Sequence, residues 1–153
     1  LSSGPFEEGT IGRWLEEAVT IFRTIAPGPR IIVGSSTGGY VALLLLKYLL
    51  ENDPAEARRI MALVLIAPAW DLTEQLMWKR FSEDARQAIL TNGRYLKPSD
   101  YGEPYTITRQ FIEEGRKHQL VGQTFNPGRP ILILQGLQDD VVPAEHVRGL
   151  ETL

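Results

Sequence analysis

Three short runs of the chain are apolar without alternation: Ile31-Ile32-Val33, Met61-Ala62-Leu63-Val64-Leu65-Ile66-Ala67 and Ile131-Leu132-Ile133-Leu134. Runs of this length, rich in branched residues, predict strands covered on both faces, as in a parallel sheet. Ahead of the first run, Ile11, Leu15, Ala18, Val19, Phe22 and Ile25 recur at three- and four-residue spacing. That stripe predicts an amphipathic helix over 11–25, capped by Thr10 and stopped by Ala26-Pro27-Gly28-Pro29. After the first run, Val41 to Leu46 is apolar on every side, which predicts a helix in the middle of a domain; it ends near Asn52, before Asp53-Pro54. Two strands joined by such a helix predict a right-handed parallel crossover.

Beyond the second run the alternation of strand and helix breaks off. Asp71-Leu72-Thr73-Glu74 has the form of a capping box and predicts a helix through Arg80. Residues 82–90 predict another short helix, Thr91-Asn92-Gly93 a turn and 97–105 irregular chain, before Thr106 or Thr108 caps a helix reaching about Leu120. Pro127-Gly128-Arg129-Pro130 leads into the third strand, and Pro143 stands at the first turn of a last helix. The organisation is therefore one α/β domain over 1–153, with an insertion over 70–126 between two of its core strands.

Composition narrows the function without naming it. With 153 residues, a net charge of −3 and scattered Lys and Arg, the chain lacks the basic field that nucleic-acid binding needs. The absence of cysteine excludes disulfides, thiol catalysis and thiolate metal sites. His118 and His146, the only histidines, have no partners at metal-ligand spacing, so neither a metal nor a cofactor is expected. The apolar run Val41 to Leu46 is too short for a bilayer span. No leader is recognisable in the polar segment that starts at Leu1, and a cytoplasmic location is the expectation.

The candidate chemistry lies at the end of the first strand. Gly34, Ser36 and Gly38 satisfy G-x-S-x-G between a predicted strand and a predicted helix, the setting of a nucleophile elbow. A sharp turn there holds the Ser36 hydroxyl out above the sheet. Ser36 is the candidate nucleophile, and the backbone N–H of Thr37 a candidate oxyanion donor, aided by the helix dipole. The alternative is a Gly/Ser turn that binds phosphate at a helix N-terminus, although the Lys-Ser/Thr ending of a P-loop is missing.

Together with Gly136-x-x-Asp139-x-x-Val142-Pro143 after the third strand, these features resemble the α/β-hydrolase superfamily. Gly9 to Leu15, Gly34 to Gly39, Ile66 to Ala69 and Tyr101 to Arg109 further resemble bacterial serine hydrolases related to a mitochondrial palmitoyl-protein thioesterase and acyl-glucuronide esterase. The resemblance implies a parallel-sheet, three-layer α/β-hydrolase fold with a helical cap, acting on small-molecule carboxylic esters or thioesters through an acyl-enzyme. It makes Asp139 the acid of the triad, with Asp140 its neighbouring rival and Asp71, after the earlier strand, a third candidate. The superfamily order is Ser, then Asp or Glu, then His. Because only a short segment follows Asp139, the chain resembles an internal piece whose base lies beyond Leu153, and such a piece alone is expected to be inactive. His146 is too close to Asp139 in sequence to serve, and His118 precedes it. In the cap, Trp70, Leu76, Met77, Trp78, Phe81, Tyr95, Tyr101, Tyr105 and Phe111 are expected either to line an acyl pocket or to form a small core of their own. Open sheet edges and bare apolar faces predict self-association.

Overall fold

The three apolar runs pair as the pattern predicts. Residues 4–25, 27–98 and 102–152 are described by the structure, a computed structural model. The chain runs through α1 (Ile11–Ile25), β1 (Arg30–Ser35), α2 (Thr37–Asn52), a single turn α3 (Pro54–Ala57) and β2 (Ile60–Ile66). It continues through α4 (Glu83–Asn92), β3 (Arg94–Lys97), β4 (Tyr105–Thr108), α5 (Arg109–Gly115), β5 (Ile131–Leu134) and α6 (Ala144–Arg148). β1, β2 and β5 form a parallel sheet in the order β1-β2-β5, with Val33 opposite Val64 and Val64 opposite Leu132. The fold is α/β with a parallel three-strand centre.

Local chemistry places most helix starts where the sequence does, but α5 ends at Gly115 and a 3₁₀ turn follows over 116–118, short of the Leu120 expected. The Thr10 hydroxyl accepts from the Arg13 N–H and starts α1, Ser82 accepts from Ala85 N–H at α4, and Thr108, not Thr106, accepts from Phe111 N–H at α5. Gly93 closes α4 with φ 75°, the left-handed conformation that glycine adopts without strain. Pro143 is the cap residue of α6, one position before its first turn.

Four expectations need correction. The strands were expected to be covered on both faces, yet β1 alternates: Ile31 and Val33 are 61% and 65% exposed, and Leu132 on β5 is 56% exposed. Helix α2 packs on one face of the sheet with α1 against it, and Leu63 and Leu65 are buried in one core with Leu43, Leu46 and Leu49. Nothing among the described residues covers the other. Second, residues 72–77 form a π-helical turn followed by a 3₁₀ turn over 78–80, not an α-helix. Third, the capping box is absent. Glu74 pairs with Arg116 at 2.8 Å, and the Asp71 carboxylate turns into the protein. Fourth, the irregular stretch 97–105 is flanked by two antiparallel strands, β3 and β4, that the pattern does not predict, so the insertion is not wholly helical. Tyr101, with its share of the resemblance, lies outside the described residues.

Candidate active site

Ser36 occupies the junction of β1 and α2, and its backbone is where the sequence pattern has its physical meaning. It has φ 51° and ψ −123°, a conformation that L-residues adopt only when the surroundings enforce it. The enforcement is visible. Ser36 N–H donates to the Ile66 carbonyl at 2.9 Å, and the Ser36 carbonyl accepts from Gly39, Tyr40 and Ala69. Both main-chain groups of Ser36 are thus committed to the ends of β2 and α2, and its side chain is left exposed. Gly34 is required for this approach: a Cβ there would lie 2.5 Å from the Gly38 carbonyl oxygen and 2.8 Å from the Gly39 Cα. Gly39 is close to Pro68 in the same way, whereas a Cβ on Gly38 would meet open space.

The exposed face of this turn opens into a cavity of about 880 Å³. Ser36, Thr37 and Gly38 form its floor, and the cap residues Leu72, Leu76, Met77, Phe81, Ile107 and Phe111 form apolar walls. Of the cap side chains expected at such a pocket, Leu76, Met77, Phe81, Tyr105 and Phe111 are there. Trp70, Trp78 and Tyr95 do not line it. Trp70 stacks on His146, Trp78 lies under Arg86 and Arg116, and Tyr95 meets Phe81 edge-on. The insertion therefore divides its aromatics between the pocket and its own core. As the first residue of α2, Thr37 has no intrahelical acceptor for its N–H, which is one of the free donors at the positive end of the helix.

Across the cavity stands the loop after β5. Asp140, Val141 and Val142 line it, while Asp139 lies one residue behind and is half-buried. Asp139 Oδ1 accepts from the N–H groups of Val141 (3.0 Å) and Val142 (2.8 Å), so the carboxylate is held by its own loop. Asp140 is exposed. Asp71 is elsewhere: fully buried and with φ 49°, it accepts from Leu120 N–H at 2.7 Å and Val121 N–H at 2.9 Å. Burial raises its pKa above the usual carboxylate range, against the lowering effect of those two bonds. The Tyr40 hydroxyl beside it donates to the His118 carbonyl at 2.7 Å, and its own pKa is raised by burial and then by the Asp71 charge. Asp71 thus ties the start of the insertion to its end, beside Tyr40 of α2, a role with no local sequence signal.

Neither histidine lines the cavity. His118 meets Glu114 across 2.6 Å, and Glu114 also accepts from the Gly12 N–H on α1. His146 lies stacked on Trp70 with ring centroids 4.9 Å apart. Burial lowers its pKa, and its Nε2 has no hydrogen-bond partner among the described residues. The structure therefore brings together Ser36, Thr37 and the 140–142 loop, with Asp139 behind that loop. One residue that the sequence gave no reason to single out joins them. Arg80, at the end of the cap's 3₁₀ turn, donates from Nη1 to the Val141 carbonyl and from Nη2 to the Asp140 carbonyl, each at 3.1 Å.

The chain has an α/β fold with a parallel three-strand sheet that matches α/β-hydrolase structures over part of their length. It is related to the mitochondrial palmitoyl-protein thioesterase ABHD10 of Homo sapiens, with 31% identity over 144 residues, 93% of this chain and 44% of that protein. A crystal structure of an Agrobacterium vitis S4 protein designated a hydrolase matches with a TM-score of 0.91 and 36% identity, over 98% of this chain and 57% of that one. Mouse alpha/beta hydrolase domain-containing protein 10 matches with a TM-score of 0.80 and 28% identity, over 98% of this chain and 58% of that one. The chain thus spans about half the length of the relatives it matches. No family model matches. No helix among the described residues is long and apolar enough to cross a membrane.

Proposed function

We propose that the protein is a serine hydrolase cleaving carboxylic esters or thioesters through an acyl-enzyme at Ser36. The observation that carries this reading is the Ser36 backbone, forced to φ 51° and ψ −123° so that its hydroxyl faces an apolar cavity beside a free helix N-terminus. In the proposed reaction the Ser36 oxygen attacks the substrate carbonyl as a base removes its proton. The tetrahedral oxyanion is held by the Thr37 N–H, a kind of contact worth about 10²–10³ in kcat. It collapses to the acyl-enzyme as the protonated base gives its proton to the leaving alcohol or thiol, and water, deprotonated by the same base, then releases the carboxylic acid and restores Ser36. Asp139 orients the base and stabilises its charged form, the acid's task in such triads. The base is a histidine outside the 153 residues, since both histidines here are engaged away from the cavity. Residues 70–126 act as the cap, and the walls from Leu72 to Phe111 hold the acyl chain.

The test is turnover of p-nitrophenyl acyl esters by the full-length protein, with Ser36→Ala expected to lower kcat about 10⁶-fold. A Ser36→Ala variant retaining more than about a tenth of kcat contradicts the reading. A second reading, that the 153-residue chain is inactive alone, is favoured by the placement of His118 and His146. Robust ester turnover by that chain, lost in Ser36→Ala, would overturn it.

A further inference from the structure

The Asp139 carboxylate and the Arg80 guanidinium sit on opposite sides of the same two peptide groups. In the peptide joining Asp140 to Val141, the carbonyl accepts from Arg80 Nη2 and the N–H donates to Asp139 Oδ1. In the next, joining Val141 to Val142, the carbonyl accepts from Arg80 Nη1 and the N–H donates to the same Oδ1. Both peptides are trans, so each carbonyl and N–H point in opposite directions. A planar guanidinium fork matches a pair of adjacent carbonyls as it matches a carboxylate, and fixes their direction. The Gln135 Nε2 holds the following carbonyl, that of Val142, at 2.8 Å. The result is a line of cation, two aligned peptide dipoles and carboxylate, reaching from the cap to the loop after β5.

We infer that Arg80 is a positioning residue for Asp139: it aims the N–H groups of Val141 and Val142 at the carboxylate and ties its placement to the seating of the cap. The inference rests on Asp139 being the acid of the proposed reaction. A cap that lifts away takes the fork from the two carbonyls, which are then free to turn. The Asp139 carboxylate then loses its two donors and its fixed direction. Arg80 and the cavity walls Met77 and Phe81 belong to one short segment of the cap, so the seating of that segment and the direction of the Asp139 carboxylate are set together.

The experiment uses the full-length protein and p-nitrophenyl ester kinetics. Arg80→Gln is expected to lower kcat about tenfold, the low end for an exposed charge-assisted pair of bonds, with KM changed by less than about twofold. Arg80→Lys is expected to recover part of the loss, since an ammonium reaches one carbonyl at a time, and ethylguanidinium added to Arg80→Ala is expected to recover part of it too, which a folding defect would not allow. In an Asp139→Asn background, Arg80→Gln is expected to add less than about twofold. A loss in Arg80→Gln that is confined to KM, or that is equally large in the Asp139→Asn background, overturns the inference while the proposed reaction stands. If Asp139→Asn retains full kcat, the assignment of the acid fails and the inference falls with it.

Discussion

Removing the Asp71 carboxyl tests whether the buried anchor holds the two ends of the insertion together. Asp71→Gly deletes the acceptor for the Leu120 and Val121 N–H groups while leaving a residue that accepts φ 49° without strain. Leu120 is 1% exposed, so its N–H is stranded at a cost of about 1–3 kcal/mol. The Val121 donor is only partly buried, and water offsets about half of such a cost. Relief from burying a carboxyl subtracts something, and the net expectation is a loss of about 2–3 kcal/mol. Asp71→Ala adds left-handed strain of about 1 kcal/mol more. Urea unfolding followed by tryptophan fluorescence reads this as a midpoint lowered by about 1 M or more, for a slope near 2 kcal/mol/M. The pH dependence has a definite sign. The folded pKa of Asp71 is raised, so its contribution is fully present below the unfolded value near 3.9 and is lost as pH rises through the folded value. The gap between wild type and Asp71→Gly should therefore narrow as pH rises from about 4. An Asp71→Gly midpoint equal to that of the wild type, or a gap that widens with pH, would refute the reasoning.

Gly34→Ala forces a Cβ against backbone atoms of Gly38 and Gly39 and is expected to cost about 3 kcal/mol or more, whereas Gly38→Ala meets open space and should leave stability unchanged or slightly raised; thermal melts of the two variants compare them. The lowered pKa of His146 means that its contribution is present above the unfolded value near 6.5 and is lost as pH falls through the folded value. His146→Phe, which keeps a ring against Trp70, should flatten the acid side of the stability profile in that window; an unchanged profile counts against it. The bare sheet face carrying Ile31, Val33 and Leu132 predicts concentration-dependent association of the 153-residue chain, reduced by Ile31→Thr with Val33→Thr. Light scattering that shows a monomer at every concentration would refute that.

What could be read from the sequence was local. The Thr10 and Thr108 caps, the helix spans of α1 and α2, and the register of Ser36 between β1 and α2 all follow from neighbours within a few residues. Gly34 announces a tight strand-to-helix turn because its missing side chain is itself the structural requirement. Asp71 was misread because Asp-x-x-Glu is a valid local signal, and the competing partners, Leu120 and Val121, lie about 50 residues on in a segment with no pattern. The β3–β4 hairpin was missed because each strand has only four residues, mixed in polarity, too few for a period to show. The exposure of β1 was missed for a different reason. A run such as Ile31-Ile32-Val33 records an apolar environment on both faces but does not say which other stretch of chain supplies it. Arg80 had no signal, because its partners are two backbone carbonyls, which any residue could provide.

The central claim is that Ser36 becomes acylated during turnover. Mass spectrometry of the full-length protein, quenched during hydrolysis of a p-nitrophenyl acyl ester and then digested, tests this directly. The account predicts an acyl adduct on the peptide containing Ser36, absent from Ser36→Ala and accumulating when Asp139→Asn slows deacylation. Turnover with an adduct on another residue, or undiminished turnover in Ser36→Ala, would contradict it.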